Sequence, residues 1–429
     1  MNFIEELRWR GMIQDATPEL DEKFSATDNG VISAYVGFDP TGRSLHIGHM
    51  IPIMMLLHLQ RCGHKPVALV GGATGMIGDP SGKSTERNLI SLDDVAENVK
   101  SIRKQLEKFL DFNDSQNGAV IVNNYDWLSG ITLLEFLRDV GKHLTVNYMV
   151  AKDSVKGRWD QGISFSEFSY QLLQAYDFFQ LYTNKNCTLQ FGGSDQWGNI
   201  TSGIEFIRRK CAGDAGGLTC PLLKRSDGKK FGKSEGGESV WLDPQMTSPY
   251  KFYQYWLNCT DDDAPKLLRV FTLMARDEIA ELEKRHAEAP HERIMQKALA
   301  KDVTTRVHSA EEAQKAVDAS DILFGKGSTE TLKSLSEEDF LSVFDGVPQC
   351  QVSVSEINEG IQILNLVSEK SNLFPSKGEA RRMISQGGLF VNKMKIDDPA
   401  FIINSQMLLN GKYLLFQKGK KSYFIINTI

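Results

Sequence analysis

The chain has 429 residues, 41% hydrophobic and 24% charged, with a formal net charge of −6. That length predicts two or three domains, and that composition is ordinary for a globular protein. No apolar run reaches the roughly 18 residues a membrane helix needs, the acidic start Met1-Asn2-Phe3-Ile4-Glu5-Glu6 is no signal peptide, and six scattered cysteines without a Cys-x-x-Cys pair exclude a disulfide or zinc framework and point to the cytosol.

Residues 1–30 read as a helix with Ile4, Leu7 and Met12 on one side, followed by a polar linker. Arg8 and Arg10 receive no role. Val31-Ile32-Ser33-Ala34-Tyr35-Val36 reads as a buried strand and Gly37-Phe38-Asp39-Pro40-Thr41-Gly42 as a turn. Ser44 is expected to cap a helix that runs to about Cys62, with Gly63 just past its end. Strand, turn and helix open a nucleotide-binding α/β unit, whose ligands lie at the carboxyl end of the strand. His46 and His49 share one face of the first helical turn, where backbone N–H groups and the helix dipole attract anions. Gly48 between them lets a ligand approach the backbone. Two imidazoles donating there can stabilise charge that builds on a phosphate. Two histidines three apart also occur as a plain surface pair, so the strand and turn ahead of them carry the argument.

Val67-Ala68-Leu69-Val70 reads as a second buried strand, followed by the glycine-rich stretch from Gly71 to Lys83. This is not a Walker A loop, because no Gly-Lys-Ser/Thr stands at the required spacing from the first glycine. Lys83 and Arg87, four apart, can reach phosphates as cations or simply face solvent. Leu92 to Phe112 reads as an amphipathic helix, and Ala119 to Asn124 as a third strand ending in two polar residues. Trp127 to about Tyr148 reads as helical and Lys152 to Gly162 as a polar loop. Phe165 to Phe178 reads as a helix on which Tyr170, Gln174 and Asp177 form one stripe. A polar stripe among Phe and Leu residues needs partners, since unpaired buried polar groups cost a few kcal/mol each. Either a closed network or a ligand's polar ends can supply them.

Thr188 to Phe191 is the next short strand. Asp195, entering the following helix, suits ribose hydroxyls. Arg208-Arg209-Lys210 complements the dipole at the end of that helix, or meets RNA. Lys224 to Gly237 is the most basic and glycine-rich loop of the body, with Lys229, Lys230 and Lys233, as suits a lid that closes on phosphate. Tyr250 to Gly325 is mostly helical, residues 326–351 read as a linker, and the last 75 or so form a separate unit. From Lys377 onward there are nine Lys/Arg against three acids, a balance of +6, so the other 376 residues carry −12. A basic tail on an acidic body suggests a polyanion site.

His46-Ile47-Gly48-His49 resembles the signature tetrapeptide of class I aminoacyl-tRNA synthetases. Six stretches, YVGFDPTGRSLHIGH, VGGATGMIGDPSGK, FSEFSYQLLQAYDF, FGGSDQWGNI, KKFGKS and the tail SKGEARRMISQGGLFVNKMKI, together resemble the bacterial-type tyrosyl-tRNA synthetases along essentially the whole chain. The resemblance implies a two-step reaction. Tyrosine's carboxylate attacks the α-phosphate of ATP, giving tyrosyl-adenylate and pyrophosphate, and the terminal adenosine of tRNA(Tyr) then takes the tyrosyl group. Positioning and electrostatic stabilisation would dominate catalysis.

By this resemblance His46 and His49 stabilise the transferring phosphates, assisted by Thr41, while Lys83, Arg87, Lys230, Lys233 and Ser234 hold pyrophosphate. Magnesium accompanies ATP, and no protein metal ligands are expected. Gly37, Asp39, Gly48, Gly193, Asp195, Phe231 and Gly232 join them around ATP. Tyr35 and Asp177 read the phenol of tyrosine. Asp79, Tyr170 and Gln174 read its ammonium end, with Asn124 and Gln196 nearby. In the tail, which resembles an S4-type RNA-binding module, Lys377, Arg381, Arg382, Lys393 and Lys395 are the RNA candidates. A homodimer is also implied.

The implied architecture is α/β. A Rossmann-like parallel-sheet catalytic domain (1–246) precedes an α-helical domain (247–325), a linker (326–351) and a small α+β S4-like RNA-binding domain (352–429). Three departures from the family pattern stand out. The consensus Lys-Met-Ser-Lys-Ser is here Lys230-Phe231-Gly232-Lys233-Ser234, Pro52 lies in the signature helix, and Val36 offers ATP ribose no polar side chain. A tryptophanyl enzyme shares the core motifs, but Tyr35, Asp177 and the tail argue against it. An RNA-binding descendant without catalysis is disfavoured by intact His46, His49, Lys230 and Lys233. A lone nucleotidyltransferase would leave the tail unexplained.

Overall fold

The computed structural model describes residues 2–25, 30–81, 90–113, 116–152, 155, 156, 159, 162–226, 231–233, 237–323, 328–344, 347–419 and 422–429. They divide into two packed units. The first comprises residues up to Thr247 together with Tyr255–Val307, and the second Ser248–Gln254 with His308–Ile429.

In the first unit, strands β1 (Asp15–Ala16), β2 (Ser33–Phe38), β3 (Lys65–Val70), β4 (Val120–Asn123), β5 (Leu189–Gly193) and β6 (Gly216–Cys220) form one sheet. Its order is β1-β6-β5-β2-β3-β4. All neighbours are parallel except β1, which pairs antiparallel with β6. Near-continuous apolar runs such as Val67-Ala68-Leu69-Val70 suit strands covered on both faces. The chain runs from β2 through β3 to β4 on one side, then crosses to β5 and β6 on the other. Strand order therefore reverses between β2 and β5, where sheets of this kind bind ligands beyond their carboxyl ends.

The first strand lies later than its apolar run suggests, because Gly37 and Phe38 still pair with Leu69 and Val70 of β3. Ser44 does not cap the signature helix. Its hydroxyl donates to the Leu45 carbonyl at 2.7 Å and accepts from the Asp243 N–H at 3.1 Å. His46 is the cap of a 3₁₀ turn, Ile47–His49, which continues as the helix Met50–Arg61. Pro52 sits in the first turn of that helix, where its missing N–H has no helical partner to lose. The stretch read as one helix from Trp127 to Tyr148 is broken into Tyr125–Leu128, Leu133–Asp139 and Val146–Val150, because Thr132 and Thr145 each start a new helix as side-chain caps.

Arg10, unassigned from sequence, is only 2% exposed and pairs with Glu6 at 2.8 Å. Its guanidinium also donates to the carbonyls of Arg269, Thr272 and Met274. Arg306 donates to the Phe271 carbonyl and Arg61 to that of Leu273. Three arginines thus satisfy the carbonyls at and just past the end of the helix Ala264–Phe271, which a helix otherwise leaves unpaired. Helices Arg276–Glu288 and Ile294–Val307 complete this group. The helical stretch 247–325 is accordingly not one body: it divides after Val307.

In the second unit, strands β7 (Gln349–Val352), β9 (Leu389–Val391), β10 (Met394–Lys395), β12 (Tyr413–Lys418) and β13 (Ser422–Thr428) form a sheet of order β10-β9-β12-β13-β7, and β8 (Ile361–Gln362) pairs with β11 (Ile402–Ile403). Helix Lys377–Ser385 packs Ala380 and Ile384 into its core. The expected linker, residues 326–351, instead carries helices Thr329–Ser334 and Glu337–Val343, capped by Ser328 and Ser336. Phe340 and Phe344 are fully buried, in ring contact with Tyr413 and Tyr423 respectively. Apolar burial makes this stretch part of the tail unit.

Candidate active site

The carboxyl ends of β2, β3, β4 and β5 bring together Tyr35, Asp39, Asn124, Gly193, Asp195 and Gln196, and the helix Phe165–Lys185 adds its stripe. The stripe does meet partners. Asp177, 2% exposed, accepts from Asn124 Nδ2 at 2.9 Å and from Trp127 Nε1 at 2.7 Å. Burial pushes its carboxyl up to about 7, opposed by those two bonds. Tyr35 is 1% exposed, and its hydroxyl has no hydrogen-bond partner among the described residues. Burial, then the charge of Asp177, raises that phenol well above its ordinary range.

At the other end of the stripe, the Tyr170 hydroxyl donates to Asp39 Oδ2 at 2.7 Å. Burial and then the Asp39 charge raise its pKa well above normal. Asp79 accepts from Gln196 Nε2 at 2.6 Å. Gln174 Nε2 approaches Gln196 Oε1 at 3.3 Å. Asn199, absent from the sequence reading, lies within 3.1–3.4 Å of acceptors on Gln174, Ser81, Gln196 and Asp79. Trp127, Asn199 and Thr74, whose hydroxyl donates to Asp39 Oδ1 at 2.7 Å, were all missed. The available signal for Asn199 was its place in the first turn of the helix Trp197–Cys211, directly after the strand-end acid.

Gly193 is bare because a Cβ there would lie 2.6 Å from Asp195 Oδ1. At Gly48 the occupied space belongs to the His46 ring, 2.8 Å from where a Cβ would stand. The two signature histidines lie with ring centroids 4.0 Å apart. His46 Nδ1 accepts from the Gly48 N–H, and His49 Nδ1 accepts from the His46 N–H, both at 3.1 Å. Nδ1 being the acceptor, each neutral ring carries its proton on Nε2. Both are thereby fixed as Nε2–H donors, the form that can serve a phosphate oxygen. Thr41 is exposed, and its N–H bonds the Asp39 carbonyl at 2.8 Å. Gly37 is exposed within β2, and Val36 is buried.

The basic loop touches this turn. The Ile47 N–H bonds the Val240 carbonyl and the Val240 N–H bonds that of Gly232. Gly232 has φ +89°, and its N–H donates to the Tyr255 hydroxyl at 3.1 Å. Phe231 stacks on Phe271, with centroids 5.5 Å apart. Lys233 Nζ donates to Ser239 Oγ at 2.9 Å. Lys83, Arg87, Lys229, Lys230 and Ser234 lie outside the described residues. The cluster Arg208-Arg209-Lys210 is held locally: both arginines pair with Glu205, and Lys210 donates to the Asp139 carbonyl.

Of the tail candidates, Lys393 is turned inward. Its ammonium donates to the Ile322 carbonyl, Gln417 and the Tyr423 hydroxyl, and burial lowers its pKa. Lys377 pairs with Glu369 and Lys395 with Asp397, each at 2.8 Å. Arg381 and Arg382 are exposed on the helix Lys377–Ser385.

The family described as tRNA synthetases class I (W and Y) matches residues 27–325, and the tyrosine–tRNA ligase SYY-like C-terminal domain matches residues 339–426. The chain is 57% identical over 427 residues to the tyrosine–tRNA ligase of Cytophaga hutchinsonii, covering 99% of each. It is 56% identical over 431 residues to that of Porphyromonas gingivalis W83, again covering 99% of each. A C-terminally truncated mitochondrial tyrosyl-tRNA synthetase from Aspergillus nidulans superposes with a TM-score of 0.67 at 30% identity, over 73% of this chain and 92% of that one. Agreement of both family matches with identity along the full length means that this chain belongs to the tyrosine–tRNA ligases of class I.

Proposed function

We propose the following division of labour for the family's reaction, in which ATP activates tyrosine and tRNA receives it. Tyr35 and Asp177 read the phenol. Asp79, Tyr170 and Gln174 hold the ammonium group, buttressed by Asn124 and Gln196. His46 and His49 donate to the transferring phosphate from Nε2, with Thr41 beside them, and Gly37, Asp39, Gly48, Gly193, Asp195, Phe231 and Gly232 enclose the nucleotide. Lys83, Arg87, Lys230, Lys233 and Ser234 neutralise the leaving pyrophosphate.

The observation that carries this reading is a buried Tyr35 hydroxyl without a partner beside a buried Asp177. A phenol from the substrate satisfies both groups. Phenylalanine would leave them unpaired in a dry pocket, at a cost of a few kcal/mol. Magnesium accompanies ATP in this reading, held by phosphate oxygens, the hard ligands it prefers.

The second unit is assigned to tRNA, through Lys377, Arg381, Arg382 and Lys395. Lys393 acts structurally instead. A second copy of the chain is assigned to the exposed apolar residues Leu133, Leu134 and Leu137, and Leu134→Glu would leave a monomer in sedimentation. All six cysteines are unpaired, as suits the cytosol.

ATP–pyrophosphate exchange with each of the twenty amino acids in turn tests the first step. Exchange with tyrosine alone is expected, and exchange with tryptophan instead would overturn the assignment of Tyr35 and Asp177.

A further inference from the structure

The two ends of the proposed tyrosine pocket are joined by one unbroken series of hydrogen bonds. Asn124 Oδ1 accepts from the Ala73 N–H at 2.8 Å, which fixes the direction of its amide. Its Nδ2 then faces both Asp177 Oδ2 and Thr74 Oγ1, each at 2.9 Å. The Thr74 hydroxyl, 2% exposed as a residue, has one proton, and with Asn124 donating to its oxygen that proton goes to Asp39 Oδ1 at 2.7 Å. The second oxygen of Asp39 receives the proton of Tyr170.

We propose that Thr74 is a positioning residue that couples the two ends of this series, holding Asn124 toward Asp177 and Asp39 toward Tyr170. With Thr74 accepting one Asn124 amide proton and donating its own to Asp39, the other amide proton goes to Asp177 and the Tyr170 proton to Asp39. Tyr170 is left presenting lone pairs, and Asp177 keeps acceptor capacity beyond its bonds to Asn124 and Trp127. Asp177 at one end and Tyr170 at the other therefore each offer a lone pair, which matches a ligand that donates at both ends: a phenolic O–H at one and an ammonium at the other. A hydroxyl can accept from an amide and donate to a carboxylate from the same atom, which a thiol does only weakly and a methyl group not at all. The surroundings fit this role. A Cβ at Gly71 would stand 2.4 Å from Thr74 Oγ1 and 2.1 Å from Asp39 Oδ1, so a bare glycine is what allows the Thr74–Asp39 bond.

This inference rests on the tyrosine reading of the pocket, and the test separates the two. Thr74→Val and Thr74→Ser are compared with wild type in tyrosine-dependent ATP–pyrophosphate exchange, with melting curves for each. Thr74→Val is expected to raise KM for tyrosine roughly 10- to 100-fold, the range for one lost hydrogen bond to a charged group. Thr74→Ser should recover to within about threefold of wild type. Should Thr74→Val not fold, Thr74→Cys, a weak donor of similar size, carries the same expectation. A Thr74→Val enzyme with wild-type KM for tyrosine would overturn the proposal. So would a serine variant as impaired as the valine one. Wild-type protein without tyrosine-dependent exchange would overturn the pocket reading, and this inference with it.

Discussion

Trp127 donates its indole N–H to Asp177 at 2.7 Å, from a helix that starts directly after β4. This bond favours the ionised carboxylate, whose pKa burial has already pushed up to about 7. In wild type, KM for tyrosine should rise as pH falls through about 7, because a protonated Asp177 no longer simply accepts the phenol. Trp127→Phe removes a bond that favours the charge, so the same rise should begin about one unit higher in pH. An unshifted KM profile would remove Trp127 from this role.

The raised Asp177 pKa also predicts how stability depends on pH. Its ordinary value is 3.8. Between about pH 4 and pH 7 the folded protein keeps a proton that the unfolded chain has released. That contribution is complete below about pH 4 and is lost as pH rises to 7. Asp177→Asn lacks it, so the stability of wild type relative to the variant should fall across this window, by on the order of 4 kcal/mol. Denaturant titrations of both proteins at pH 4.5 and 7.5 measure the difference. A constant gap would mean that Asp177 is not buried as described.

The shared Nε2–H form of His46 and His49 predicts a loss confined to the chemical step. His49→Ala should lower kcat for exchange by about 10²–10³, the scale for one lost transition-state donor, with little change in KM for tyrosine. Gly48→Ala should act through geometry, since its methyl group would meet the His46 ring. It should lower kcat while His46 remains chemically intact. An equal rise in KM for tyrosine in both variants would point to general damage instead.

In the tail, Lys393 and the arginine pair should separate cleanly. Lys393→Met removes an ammonium from three acceptors and should destabilise the second unit by about 1–3 kcal/mol, seen as a lower melting temperature. Arg381→Ala with Arg382→Ala should leave melting and pyrophosphate exchange unchanged and weaken tRNA charging, with the gap to wild type narrowing at higher salt because each lost cation lowers the salt slope. Normal charging by the double variant would exclude this helix face from tRNA contact.

Four strands of the parallel sheet, β2 to β5, were legible because they are short apolar runs followed by turn residues, whereas β6, which opens on Gly216 and Gly217, was not expected. The Tyr170, Gln174 and Asp177 stripe was legible because a helix repeats every 3.6 residues. Their partners were not. Asp39 meets Tyr170 across 131 residues of chain, and Asp177 meets Trp127 across 50. Periodicity reports which face a residue shares, not what another strand brings to it. His46 was missed as a helix cap because an imidazole does this task less often than serine, and a serine stood two residues earlier. The glycines and serine at 325–328 read as a linker, although the apolar Phe340 and Phe344 beyond them draw that stretch into the tail.

Arg10 has a consequence for the order in which the chain is made. Its three carbonyl acceptors lie 259–264 residues further on. At 5–20 residues per second, synthesis separates donor from acceptors by roughly 13–50 s. Until then the guanidinium has only Glu6 among these partners, four residues before it. The helix Phe3–Arg10, made well before the rest of its unit, is thus among the last elements of that unit to find its final surroundings.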